Sequence, residues 1–426
     1  MHSKRPQAWL LFIALVLLLT APVCAAAIEI NVVGGGDGFS DAEDQAGFYE
    51  AHPGIQINIL NNVSNAQVLA MIAAGTPPDL IRTEARQVPY WVSFGLLEDL
   101  TPYIRSRSQF IRPGDLVPVN DLYRVDGGIY ALNKDWSADL TIYYNKDLFD
   151  AAGLSYPSET TPLTYTEVME LSRKLSRQEG GEPVQWGFGA GYMPLAYQAM
   201  LRAVDQPFYS PDQTRAMLAD NPEALEAADW WVEMARRQWY GGPNDPWHNA
   251  RLAMYQMGFW FGPVAAVGGR QNVYANERSE EGSTEMIGFA PAPRWGEKRV
   301  NMAVATGFAM FADSPHKDEA WQVLEWFMVG PPAIRRTRIG WGIPPLRSLF
   351  QYIPQETELD RQRYRVTVAE VPYLAPHYPN RYDAAAFDQA WNQWFGPASS
   401  GEISTNEFLR RVEQDTNNAL ARAAAQ

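Results

Sequence analysis

The sequence is short of several things. It has one cysteine, Cys24, which excludes an internal disulfide framework and any multi-cysteine zinc site. It has five histidines, His2, His52, His248, His316 and His377. They are isolated, without H-E-x-x-H or other ligand spacing, which argues against a histidine zinc centre. Positive charge is scarce: 35 Lys+Arg face 49 Asp+Glu, for a net charge of −14. A general nucleic-acid binder is thereby excluded, because phosphate binding needs a basic surface. No internal repeat and no low-complexity segment occurs. No cofactor and no metal is expected.

What is present is ordinary for a folded chain, with one exception. Apolar residues make up 46% and charged residues 20% of 426 positions. That composition argues against disorder, and the length favours two or three domains. The exception is aromatic content: 15 Trp, 20 Tyr and 18 Phe.

Residues 1–27 read as a secretory signal peptide. Lys4 and Arg5 precede the apolar run 8–19 (AWLLFIALVLLL), which is too short to span a bilayer comfortably. Small residues follow at Ala21, Ala25, Ala26 and Ala27. Lipidation of Cys24 fits poorly, since Ala21 and Val23 stand where a lipobox carries Leu and a small residue. Cleavage removes Cys24 and Trp9 and deepens the negative charge by two. No later stretch approaches a membrane span, so a soluble exported protein is expected.

The remainder alternates strand and helix. Residues 28–33 (IEINVV) form a strand entering Gly34-Gly35-Gly36, 55–60 (IQINIL) a second, and 79–83 a third. Helices lie between them, one opened by the Ser64/Gln67 capping box. This β-α-β-α-β order implies parallel strands with right-handed crossovers. Later, 140–145 is a strand and Thr164/Glu167 caps a helix. Asn221-Pro222 opens another helix, 301–311 is a strand broken by Gly307, and Ser404/Glu407 caps the last helix.

Enzyme signatures are weak. There is no G-x-S-x-G elbow. The loop Gly34-Gly35-Gly36-Asp37-Gly38 lacks both the Lys-Ser/Thr of a P-loop and the third glycine of a dinucleotide fingerprint. A secreted glycoside hydrolase with paired carboxylates stays open as an alternative, because such carboxylates need no sequence proximity.

Several segments then resemble a known family. FYEAHPGIQIN, AAGTPPDLI and GLLEDLTPYI occur within 48–104. GIYAL, YYNKDLF and AGL follow, then RLAMYQMGFW (251–260), GFAPAP, SPHKDEAW and GWGIPP in order. The chain resembles the family 1 extracellular solute-binding proteins of ABC importers, the group that includes maltose-binding protein. Its first loop is richer in glycine than usual, and GWGIPP carries an extra tryptophan.

That resemblance implies an α/β, two-lobed, periplasmic-binding-protein-like fold (type II) with crossing hinge strands. Lobe 1 would be 28–140 with 303–340, and lobe 2 141–302 with 341–426. The crossings would fall near 140–144, 291–303 and 341–345. It further implies a carbohydrate, expected to be a di- or oligosaccharide, captured between the lobes of a periplasmic monomer. The partners would be ABC permease transmembrane subunits. A glycerol-phosphate-type binder of the same family is a further alternative, which would need basic groups in the cleft.

Aromatic faces cover the C–H face of a sugar, and carboxylates, amides and Arg pair its hydroxyls. Trp136, Trp260 and Trp341 stand near crossings and are the aromatic candidates. Trp230, Trp231, Trp239, Trp321, Trp326, Trp391 and Trp394 lie in helical patterns and read as packing. Polar candidates sit just past strand ends or at crossings: Asp37, Asn62, Glu84, Asp139 and Arg347, with Gly307 beside them.

Overall fold

A computed structural model describes residues 27–425 apart from 37, 243–244, 267–282, 379 and 381. The expected signal peptide and Asp37 therefore lie outside the described residues, Ala27 excepted. In chain order the strands are β1 Ile28–Val33, β2 Ile55–Leu60, β3 Leu80–Glu84, β4 Arg124–Val125, β5 Gly128–Ile129, β6 Leu132–Ala138 and β7 Ile142–Asn145. They continue with β8 Arg177–Glu179, β9 Glu182–Ala190, β10 Leu252–Gln256, β11 Ile287–Ala290, β12 Asn301–Met310 and β13 Leu374–Ala375.

Two sheets carry the molecule. The first runs β13-β12-β3-β1-β2, with β6 also on β12. The second runs β11-β7-β10-β9-β8. β1 pairs parallel with β2 and β3, as the alternating β and α segments require. The first sheet is covered on both faces. Val32, Leu80 and Phe308 enter one apolar cluster, while their neighbours Val33, Ile81 and Ala309 enter another. Alternation along each strand makes this division. The second lobe packs Phe188, Tyr197, Trp231 and Trp391 in one core.

Caps read from the sequence are in place. Ser64 and Gln67 close a reciprocal capping box, as do Thr164 and Glu167. Asn221 accepts from Glu223 and Ala224 N–H with Pro222 in the first turn, and Ser404 accepts from Glu407 N–H. Each satisfies donors that a helix start leaves unpaired. Among the described residues no helix is long and apolar enough to cross a membrane.

The chain passes between the sheets at 139–141 and at 291–300, close to two of the expected crossings. The segment 341–345 behaves differently. Ile343 bridges Trp136 on the edge of β6, and Leu346 and Leu349 pack in the first lobe's core. Pro344 and Pro345 lack the N–H that would continue the pairing into a ladder. The chain leaves this lobe only after Ile353, and helix Glu358–Glu370 packs on β11 of the second sheet. Strand β12 is also unbroken at Gly307; it absorbs that residue with a shift of register against β6 between Thr306 and Gly307.

Candidate functional site

The crossings are held by buried polar groups. Asn301 Oδ1 accepts from Leu140 N–H at 3.0 Å, and its amide donates to Glu370 Oε2 at 3.1 Å. Glu370 Oε1 accepts from Ala292 N–H at 3.0 Å and pairs with Arg299. One carboxylate thus ties two crossing segments to helix Glu358–Glu370.

The first crossing also holds the segment 257–259. Thr141 Oγ1 donates to Met257 O at 2.6 Å, Tyr143 OH to Gly258 O at 3.2 Å, and Phe259 N–H donates to Ser137 Oγ at 2.7 Å. Gly258 has to be glycine here. A Cβ would overlap Asp139 Oδ1 and Ser137 Oγ.

Between the sheets lies a cavity of about 360 Å³. Glu84 and Arg86 line it from the first lobe. Tyr192, Gln198, Tyr240, Asp388 and Asn392 line it from the second, with Asp139 from the first crossing, Val304 from β12 and His377 from just after β13. Pockets of this kind hold small molecules at domain junctions.

Its electrostatics are set by burial and one guanidinium. Asp139 is 2% exposed, and its Oδ1 has no hydrogen-bond partner among the described residues. Burial pushes its carboxyl up to about 7, helped by the charges of Glu84 and Asp135 and opposed by hydrogen bonds from Ser137 and Trp260. Burial also pushes Glu84 up, but Arg86 outweighs it and holds that carboxyl below its usual range. His377 is pulled down to about 4 by burial and by the positive Arg86, so it is neutral at pH 7. Three carboxyls and one guanidinium therefore line this space, which disfavours a phosphate-bearing ligand.

The candidate residues fall into two groups. Glu84 and Asp139 meet in the cavity. Trp260 does not line it but hydrogen-bonds Asp139, and it faces Trp341 with ring centroids 6.2 Å apart. Arg363 positions this pair. Buried at 1% exposure, it donates to Phe259 O and, at 3.2 Å, to Gly340 O, the carbonyls just before the two tryptophans.

The other candidates lie elsewhere. Asn62 is an exposed turn residue with φ 58°. Trp136 is buried, its indole donating to Pro344 O at 3.2 Å. Gly307 packs so closely that a Cβ would strike Leu132 O and the Tyr123 hydroxyl. Arg347 is exposed, beside an apolar groove that Ala303 and Trp136 also line. Ala303 and Val304 are adjacent on β12 and point to opposite faces, so this groove and the cavity lie on opposite sides of the crossing strand.

With the geometry in hand, the chain can be compared with known proteins. A family model described as bacterial extracellular solute-binding protein matches residues 37–328. The chain belongs to that family. As an extracellular solute-binding protein it is an exported, non-enzymatic component of transport. The mannitol-binding protein of Pseudomonas aeruginosa is 25% identical over 411 residues, covering 88% of this chain and 89% of that one.

Solved structures share the fold. An ABC substrate-binding protein from Listeria monocytogenes in complex with cycloalternan matches with a TM-score of 0.75 and 19% identity, over 93% of this chain and 99% of that one. A solute-binding protein of Agrobacterium vitis with bound D-mannitol matches with a TM-score of 0.70 and 19% identity, over 94% and 99%.

Sequence reasoning missed several lining residues of this solute-binding protein. Tyr192 follows the end of β9, the same strand-end position that pointed to Glu84. Strand β9 (EPVQWGFGA) escaped because Pro183 and two glycines interrupt its apolar run. Asp388 and Asn392 share a face of helix Ala386–Ser399 at i, i+4, a signal usable only once the helix is known.

Proposed function

We propose that this protein is the periplasmic substrate-binding component of an ABC importer and captures a small neutral carbohydrate or polyol by closing its lobes. The observation that carries this is the interlobe cavity, lined by Glu84, Asp139, Gln198 and Asn392 together with Tyr192 and Tyr240. Carboxyl and amide groups pair ligand hydroxyls, and tyrosine rings cover a C–H face. Trp260 reaches the site through its hydrogen bond to Asp139, while neither it nor Trp341 lines the cavity. The carboxyl excess favours a neutral polyhydroxylated ligand over a glycerol phosphate.

The sequence favoured a di- or oligosaccharide. The volume is near the lower end of the ~300–1,000 Å³ typical of ligand pockets. That size favours the range from hexitol to disaccharide over longer chains. Relatives named as mannitol binders support the same range. The empty protein opens and closes; the ligand shifts it toward closed by its higher affinity for that state. The closed monomer then presents both lobe surfaces to the permease transmembrane subunits.

A thermal-shift screen tests this reading. D-mannitol, hexoses, maltose and longer oligosaccharides are compared with amino acids and glycerol 3-phosphate. At least one small carbohydrate or polyol is expected to raise the melting temperature, and Asp139→Asn to abolish that rise. If only an amino acid or the phosphate ester stabilises the protein, the reading fails.

A further inference from the structure

The cavity wall holds a contact between the lobes that needs no ligand. Arg86 follows β3 of the first lobe in the 3₁₀ turn Ala85–Gln87. Its Nε donates to Glu84 Oε2 of the same lobe at 2.8 Å. Its Nη1 donates to Asp388 Oδ2 at 2.6 Å and to Ala384 O at 3.3 Å. Asp388 belongs to the first turn of helix Ala386–Ser399, which packs against helices Pro222–Arg236 and Thr405–Ala424 of the second lobe. One guanidinium is therefore shared by two carboxylates, one from each lobe.

The groups around it sharpen the point. His377 lies beside Arg86 but is neutral at pH 7, so it does not share the task. Asp388 also feels the charges of Glu84 and Asp383, and without Arg86 it would face them with little compensation. The pair is partly exposed, with side chains 25% and 29% accessible. Such a bridge is strong enough to bias an equilibrium and weak enough to open.

We propose that Arg86 is an interlobe clasp, a positioning residue that sets how often the empty protein is closed by screening Glu84 of one lobe from Asp388 of the other. The clasp rests on the capture-by-closure reading but concerns the protein without ligand. It acts on affinity through the closed fraction, because a ligand that needs the closed state binds more weakly in proportion to how rarely that state occurs.

The geometry predicts an unusual mutational pattern. Arg86→Gln leaves two carboxylates facing each other across the lobes and should open the protein. Asp388→Asn removes one of those carboxylates, so adding it to Arg86→Gln should restore closure. Simple loss of a contact would give no such rescue.

The test uses the mature chain, which lacks cysteine once Cys24 is cleaved, with labels on cysteines introduced at exposed Glu50 and Glu402. Interlobe distances are measured by pulsed spin-label spectroscopy without any sugar. Arg86→Gln is expected to lower the closed-to-open ratio about fivefold, equivalent to about 1 kcal/mol. The double variant Arg86→Gln/Asp388→Asn is expected to return most of it. Added salt should also reclose Arg86→Gln by screening the two carboxylates.

An unchanged distance distribution in Arg86→Gln, or a double variant as open as the single one, overturns the clasp. Should Arg86→Gln fail to fold, a double variant that folds with wild-type distances supports it, and one that folds open refutes it. A failed carbohydrate screen with the rescue intact would sink the ligand reading and leave the clasp standing.

Discussion

At the scale of residues, Asp139 carries the sharpest consequences. Its carboxyl moves from 3.8 to about 7 on folding, chiefly through burial. The folded state therefore holds its proton more tightly than the unfolded chain. That contribution to stability is complete below pH ~4 and is lost as the pH rises toward 7, above which the buried charge is a net cost. Asp139→Asn should thus unfold at higher urea than wild type at pH 8, by an amount on the order of 4 kcal/mol at most, with the gain fading toward pH 4. The same variant should lose carbohydrate binding, which isothermal titration at pH 8 checks. Arg363 is the second lever. Arg363→Lys keeps the charge but loses the fork that reaches both Phe259 O and Gly340 O. A loss of about 3 kcal/mol in stability and a weaker ligand-induced change in tryptophan fluorescence are expected. Neither role was visible in the sequence. Asp139 was a candidate by its place before a crossing, whereas Arg363 was one arginine in a polar helix until packing placed it behind two tryptophans.

Elements divide into those specified locally and those specified by what they touch. Ser64 and Gln67 satisfy each other's backbone donors within four residues, so the start of that helix was legible. Ser64→Ala should cost about 1 kcal/mol by urea unfolding. Glu370 shows the opposite case. It is fully buried and holds Asn301, Arg299 and Ala292, which are 69, 71 and 78 residues away. Glu370→Ala should cost about 3–5 kcal/mol, because it strands a buried guanidinium and frees both crossing segments. The two sites share no partner, so their double variant should show additive losses in the same measurement. Strand β9 was illegible because its glycines weaken the pattern. One of them, Gly187, lies against the backbone of Ser172, where a Cβ would not fit. The expected break of β12 at Gly307 failed for a related reason. That glycine makes room for the neighbouring strand and does not end its own.

For the whole molecule, closure is the property to measure. A ligand that binds only the folded, closed state raises stability by about 2.7 kcal/mol at a hundredfold excess over Kd. Small-angle scattering of the same samples should show a smaller radius of gyration with the stabilising sugar than without it. A stabilised protein of unchanged dimensions would argue against closure. The sequence alone determined the family, through segments in a fixed order, and with it the α/β class. It also determined the parallel start of the first sheet and the acidic balance, from which no nucleic-acid partner is expected. Those properties depend on local pattern and on sums, which a linear chain displays. Only the tertiary structure decided which residues meet. It put Glu84 and Asp139 in one cavity and joined Trp260 to Trp341. It left Trp136, Gly307, Asn62 and Arg347 outside, and brought Arg86 to Asp388 across 302 residues. Burial and cross-lobe charge arise from distances between chain-remote atoms, and no local pattern encodes those distances.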